Sequence, residues 1–312
     1  MKVSVVVCTY SMERYEAFSE CVESVLAQEY DPLEVVLVVD GNPHVLERVS
    51  EDFGDEPNVV VHKNDENRGI SYSRTKGGEL ASGEIVAFID DDATAEPNWV
   101  SKLVEVYEET DAIAVGGDVK PDWQTEKPDF FPDEFYWLVG VVEPGFAEDG
   151  EEVRNTYGSN ISYRREAFLD VGGYDPNTGR KGDKHLQAHE APVGIRLLRE
   201  YGKGMVFTGD AVVHHKLFDY RGDFRWLLSR SFWQGYSKRV MDLLYPDAPD
   251  DKGNYLRWLV TQRVPMRLAR LVRSPSFTEA RQLCAIIAFT SAVGLGYLYA
   301  FMTPGVVEKA NA

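Results

Sequence analysis

Three consecutive carboxylates, Asp90-Asp91-Asp92, follow the apolar run Ile85-Val86-Ala87-Phe88-Ile89. That run is predicted to be a buried strand, so the acids meet where a strand ends. Like charges this close raise one another's pKa and oppose ionisation. A divalent cation relieves the repulsion. Mg²⁺ and Mn²⁺ take oxygen ligands, usually one or two carboxylates together with substrate phosphates. The triplet therefore points to a metal joining the protein to a nucleotide diphosphate. The residues alone also admit a solvated turn, or a helix cap made by Asp91 or Asp92. Two more polar groups close apolar runs in the same way: Thr9-Tyr10 after Val3–Val7, and Asp40 after Glu34–Val39.

These positions need a scaffold that gathers strand ends. Val3–Val7 is a β-branched run broken only by Ser4, as in a parallel sheet covered on both faces. Phe18, Cys21, Val22, Val25 and Leu26 recur at helical spacing. Further strands are predicted over 34–39, 59–61 and 85–89, and helices over 46–53, 70–81 and 99–107. Such alternation with short connections predicts an α/β fold with a mostly parallel, Rossmann-like sheet. Ligands of these sheets lie beyond the carboxyl ends of the strands, where all three polar clusters fall. Neither G-x-G-x-x-G after the first strand nor a Walker A motif is present.

The net charge of −18 argues against nucleic acid as a partner and is compatible with a high-salt interior. Cys8, Cys21 and Cys284 show no metal-ligand spacing and suit a reducing compartment. No secretory leader is predicted ahead of the first strand.

After about residue 118 the pattern loosens. Phe130-Phe131-Pro132-Asp133-Glu134-Phe135-Tyr136-Trp137 reads either as a core-covering loop or as an apolar contact for acceptor or membrane. Tyr255–Arg273 mixes Trp258, Leu259, Leu268, Leu271 and Val272 with five arginines, as in a helix lying on an anionic membrane, and Pro265 is expected to kink it. Leu283–Thr303 carries no charge and has about the length that crosses a hydrocarbon core. The expected organisation is a catalytic domain over 1–240, a basic amphipathic segment over 241–282, a single membrane span over 283–303 and a tail over 304–312. Arginines precede the span, so the positive-inside rule places the catalytic domain in the cytoplasm, at the cell membrane.

Taken in order, Val3–Tyr10, Asp40, Asn67-Arg68-Gly69, Arg74, Phe88–Asp92, Gly158–Arg165 and Val171-Gly172-Gly173-Tyr174-Asp175 resemble the inverting family 2 glycosyltransferases of GT-A fold over roughly residues 1–240. The resemblance implies a UDP-sugar donor, with Thr9 and Tyr10 lining the base pocket and the tyrosine stacking on uracil. Asp40 would accept from the uracil imide, Arg74 would hold base or pyrophosphate, and Asp91 would contact ribose. Asp92 would bind Mn²⁺ or Mg²⁺, supported by Asp90, with one of His214 and His215 as a further ligand.

The family's catalytic base precedes a helical arginine by six residues. Here that arginine is Arg196, so Glu190 takes the position, with His189 in place of the usual preceding glutamate and an alternative base. Arg230–Tyr236 is similar to a segment closing the site in membrane-associated members, and the Gln-x-x-Arg-Trp signature of processive synthases is absent, so transfer of one sugar is expected.

The likeness extends along the whole chain to members that build lipid-linked glycans for archaeal protein N-glycosylation. It implies transfer of glucuronic acid from UDP-glucuronate to glucosyl dolichyl phosphate, alongside other glycan-assembly enzymes. Arg164, Arg165, Arg180, Lys181 and Lys184 are candidates to meet the glucuronate carboxylate. The alternatives are a dolichyl-phosphate hexosyltransferase using another nucleotide sugar, and a non-catalytic membrane scaffold.

Overall fold

Seven consecutive buried residues form the first strand, β1 (Val3–Thr9), flanked on both edges by parallel neighbours. The computed structural model describes residues 1–176, 190–248 and 252–303. His189, Arg180, Lys181, Lys184 and the predicted tail over 304–312 lie outside the described residues.

The chain divides into two units, Met1–Pro121 with Ala147–Lys216, and Asp122–Phe146 with Leu217–Ala312. Residue 240, the expected domain boundary, lies in the second unit, to which residues 122–146 also belong.

In the first unit, β1 is followed by α1 (Tyr15–Leu26), β2 (Leu33–Val39), α2 (Pro43–Phe53), β3 (Val59–Lys63), α3 (Ile70–Leu80), β4 (Ile85–Asp90), β5 (Ala93–Ala95), α4 (Trp99–Glu109) and β6 (Ala114–Trp123). Then come β7 (Glu152–Val153), β8 (Ile161–Arg164), α5 (Arg165–Asp170), α6 (Glu190–Tyr201) and β9 (Met205–Leu217). The sheet order is β3-β2-β1-β4-β8-β6-β9-β5, with β7 on β9. The first four strands of that order are parallel, and β8 turns antiparallel against β4. Thr9 is level with Val39, and Cys8 with Asp90, so Thr9, Asp40 and the aspartates share one rim.

Helix α2 starts three residues before the sequence reading places it, because Asn42 accepts from the His44 and Val45 amides and Pro43 fits the first turn. The sheet's core is aromatic, with Phe88, Tyr163, Phe168 and Tyr174 in mutual ring contact.

The second unit contains α7 (Phe224–Leu244), α8 (Lys252–Trp258), α9 (Val264–Arg273) and α10 (Phe277–Phe301). The predicted kink is a widened π-turn, Leu259–Arg263, immediately before Pro265 in the first turn of α9. The aromatic segment at 130–137 is a core-covering loop: Phe131 and Phe135 are buried and pack on Phe289 of α10. Glu134 is buried among them. Burial opposes its charge, but hydrogen bonds from Arg267 and Arg263 hold its carboxyl below the usual range. Helix α10 begins six residues before the predicted span, capped by Ser276, which accepts from the Glu279 amide.

Asn160, fully buried in the first unit, accepts from the Trp99 indole at 2.8 Å. Its amide donates to the Asp118 and Ala211 carbonyls, both at 2.8 Å. Asn160→Ala leaves three polar groups without these bonds. The expected outcome is a loss of about 3 kcal/mol in unfolding free energy, read by denaturant titration. An unchanged midpoint would show that the network is dispensable.

Candidate active site

The geometry at the rim follows from one register. Strand β5 begins right after Asp92 and runs antiparallel to the end of β9, pairing Ala93 with His215 and Thr94 with His214. The Lys216 amide donates to the Asp92 carbonyl at 2.8 Å, which closes the turn. Neighbouring side chains on a strand point to opposite faces. His215 therefore lies buried beside Asp92, with Nε2 3.2 Å from Oδ1. His214 points away and pairs with Glu96 at 3.1 Å. Of the two histidines, His215 is the one brought to the carboxylates.

Asp90, Asp92 and His215 each offer a ligand atom within 4.8 Å of the others. Two carboxylates and an imidazole fit Mn²⁺ or Mg²⁺ completed by substrate oxygens. Asp91 also fits a cation-dependent site. Its burial, with Asp92 and Asp90 alongside, pushes its pKa up to about 7 despite the nearby Arg14 guanidinium. Arg14, in the 3₁₀ turn Met12–Arg14, forms ion pairs with Asp91 and, at 3.1 Å, with Asp92. The sequence reading omits this residue. Its only signal is a lone cation one turn beyond the end of β1, and no periodic pattern singles that out.

Arg74 and Glu190 form the other half of the site. Arg74 is only 2% exposed. Its guanidinium pairs with Asp90 at 2.6 Å and donates to the Gly158 carbonyl at 2.8 Å. Burial works against the charge, but Asp90, Tyr174 and Glu190 outweigh it and keep its pKa above the ordinary arginine value. The Gly158 amide in turn donates to Glu190 Oε1 at 3.1 Å. A Cβ at Gly158 would lie 2.4 Å from Glu190 Oε1 and 2.5 Å from an Arg74 guanidinium nitrogen, so any larger residue would have to displace one of these side-chain ends. Arg74 is thus an internal strut between Asp90 and the Glu190 segment.

Glu190 opens α6, where the helix N-terminus favours its negative charge. Arg196, six residues on, donates to the Gly173 and Pro192 carbonyls and anchors that helix.

The nucleotide-side residues are arranged unevenly. Thr9 is buried, whereas Tyr10 is 50% exposed with its ring available for stacking. Asp40 is buried and accepts from Asn64 Nδ2 and the Arg68 and Gly69 amides at 2.8–2.9 Å. It therefore fixes the 67–69 turn, where Gly69 takes φ +88° ahead of α3. A carboxylate has about four acceptor positions, so room for one further donor remains. Arg164 and Arg165, proposed for a sugar carboxylate, instead donate to backbone carbonyls: Arg164 to Ala112 and Tyr107, Arg165 to Gly78 and Glu79.

Residues 4–172 match the family described as Glycosyl transferase family 2. A glucosyl-dolichyl phosphate glucuronosyltransferase of Haloferax volcanii is 65% identical over 312 residues, covering 100% of both chains. Among solved structures, the mannosyltransferase PcManGT from Pyrobaculum calidifontis, in complex with GDP-Man and Mn²⁺, aligns with TM-score 0.57 at 19% identity, covering 99% of this chain and 85% of that one. TarS 1–349 of S. aureus, in complex with UDP-GlcNAc, aligns with TM-score 0.53 at 16% identity, covering 99% and 89%. At these identities the two structures establish the GT-A fold.

Cation binding near Asp91 should expel its proton wherever the metal-free carboxyl is protonated, that is below about pH 7. Apparent Mn²⁺ affinity is therefore expected to rise with pH, by at most about tenfold per unit for one linked proton, and to level off above pH 7. Calorimetry in two buffers of different ionisation enthalpy reads that proton directly. Asp92→Ala and His215→Ala should each weaken binding. A pH-independent affinity, or full binding in both variants, would contradict this assignment.

Proposed function

The chain belongs to glycosyltransferase family 2, and from that premise we propose that it transfers glucuronic acid from UDP-glucuronate to glucosyl dolichyl phosphate. The observation that carries the reading is the 65% identity, end to end, with the Haloferax volcanii enzyme of that activity. The match runs the full length of both chains, which supports carrying the donor and acceptor over together.

The chemistry is a single displacement at the anomeric carbon with inversion. The acceptor hydroxyl oxygen forms the new bond to that carbon while the bond to the UDP oxygen breaks. Glu190 receives the hydroxyl proton, as a carboxylate within hydrogen-bond reach of it can. A bound Mn²⁺ or Mg²⁺ supplies positive charge to the departing diphosphate. Asp90, Asp92 and His215 are the residues that would hold it.

Arg74 keeps Asp90 and the Glu190 segment at fixed separation, so donor and base are pre-positioned. Tyr10 stacks on the uracil, Thr9 lines the base pocket, Asp40 shapes the loop beside the base and retains one acceptor position for the imide, and Asp91 meets the ribose. His189, next to Glu190 in sequence, is the alternative base. The C-terminal helices hold the enzyme at the cell membrane, with its catalytic unit on the cytoplasmic side.

The test is transfer of labelled glucuronate from UDP-glucuronate to glucosyl dolichyl phosphate at high salt with Mn²⁺ or Mg²⁺. Wild type is expected to be active, Asp92→Ala to be nearly inactive, and Glu190→Gln to lose about 10²–10⁴-fold in kcat. Transfer from another nucleotide sugar, or to bare dolichyl phosphate, with none from UDP-glucuronate would sink the substrate assignment and keep the fold. Full activity in Glu190→Gln would move the base to His189.

A further inference from the structure

Helix α10 is apolar enough to cross a membrane, and its 25 residues reach about 37 Å. Its surroundings are not those of a lipid-bathed span. One face packs on the rest of the second unit from end to end. Glu279 pairs with Arg267 at 3.0 Å, and Phe289 contacts Phe131, Phe135 and Phe224. Gly235 of α7 sits against the Val293 carbonyl, and Gly296 against the Phe232 carbonyl, with no room for a Cβ at either. Tyr297 donates to Asp242 at 2.8 Å, and Arg239 lies 4.1 Å over the Phe301 ring. The partner helix α7 also carries Arg225, Arg230 and Lys238. Taking α10 across hydrocarbon would take Arg239 and Asp242 with it, and ionisable groups there are costly.

The opposite face of α10 is bare. Cys284, Ile287, Ser291, Leu295, Leu298 and Met302 are all exposed, at steps of three or four residues, which is a single helical stripe. Val272 and Phe277, in and just after α9, are 81% and 80% exposed. Charge identifies what covers this surface. Between residues 257 and 303 there are six arginines and one acid, Glu279, which is buried and paired. Arg263 and Arg267 are taken up by Glu134, while Arg257, Arg270, Arg273 and Arg281 are exposed, so this segment, like α7, is basic in a chain that carries −18.

We propose that α9 and α10 lie in the plane of an anionic bilayer, embedded in one leaflet, and do not cross it. The exposed stripe enters the acyl region, the exposed Arg257, Arg270, Arg273 and Arg281 meet the headgroups, and α7 with its charges stays on the protein side. This goes beyond the membrane-associated reading above, on which it rests for the existence of the bilayer.

The experiment uses the full chain in membranes of expressing cells, with Thr303→Cys in a Cys284→Ser background and a membrane-impermeant maleimide. Labelling of position 303 in inverted vesicles, and none in intact spheroplasts, is the expected result. Labelling only in spheroplasts would mean a span and overturn the inference while keeping the membrane association. Recovery of wild type entirely in the soluble fraction would overturn both. A second variant, Leu295→Glu with Leu298→Glu, is expected to move the chain to the soluble fraction by more than tenfold while UDP-sugar binding is unchanged. Retention of that variant in the membrane, or concentration-dependent dimerisation that protects Cys284 without lipid, would also overturn the proposal.

Discussion

A guanidinium buried to the extent of Arg74 is stable only where fixed negative groups offset its lost hydration. Asp90 and the Gly158 carbonyl supply that offset directly, and Glu190 adds to it electrostatically. The consequence reaches both halves of the site. Asp90 stands at the end of β4 and Glu190 at the start of α6, exactly one hundred residues apart in sequence. Arg74, projecting from α3, makes their separation a property of packed structure. Gly158 completes the linkage because its carbonyl accepts from Arg74 while its amide donates to Glu190. Asp90 and Glu190 are thus joined through one side chain and one peptide segment.

The acidic rim is built against its own electrostatics. Three aspartates meet at the end of β4, and burial raises the pKa of Asp91. Arg14 and His215 moderate that repulsion from two sides, one from the turn after β1 and the other from the end of β9. This arrangement also explains why β5 is so short: three residues suffice to lock β9 in the register that brings one histidine inward and leaves its neighbour on Glu96.

Much of this was legible from residue types, and the part that was not has a common cause. The runs Val3–Val7 and Ile85–Ile89 announce buried parallel strands, because β-branched and aromatic residues dominate both, with only Ser4 and Ala87 between them. Their polar ends follow at once. The family resemblance sets the base position six residues before Arg196, and Glu190 and Arg196 both lie on α6. Strand alternation says that His214 and His215 diverge, but only pairing with β5 says which faces Asp92. Arg14 depends on a contact across 77 residues, and the bonds from Asp40 to the 64–69 segment span 24 to 29. Such pairings are set by topology, and periodicity does not carry them. The same holds for residues 122–146, whose aromatic rings belong with α10 although more than a hundred residues separate them.

Helix α10 shows how composition and packing can point in different directions. Its hydropathy satisfies the requirement for a span, since that measure sums residues without regard to face. Packing restores the face. The glycines at 235 and 296 let two backbones approach closely, and a contact of that kind fixes the rotation of α10 about its axis. Once rotation is fixed, apolar residues divide into those that meet α7 and those that meet the surroundings. Aliphatic side chains left on the outside of an otherwise acidic protein need a reason to be there, because exposed apolar stripes favour association. Here they sit among Arg257, Arg270, Arg273 and Arg281, which are exposed, while Arg263 and Arg267 are held by Glu134 and the one acid of the segment, Glu279, is buried. That combination selects an interface that is apolar within and anionic at its edge.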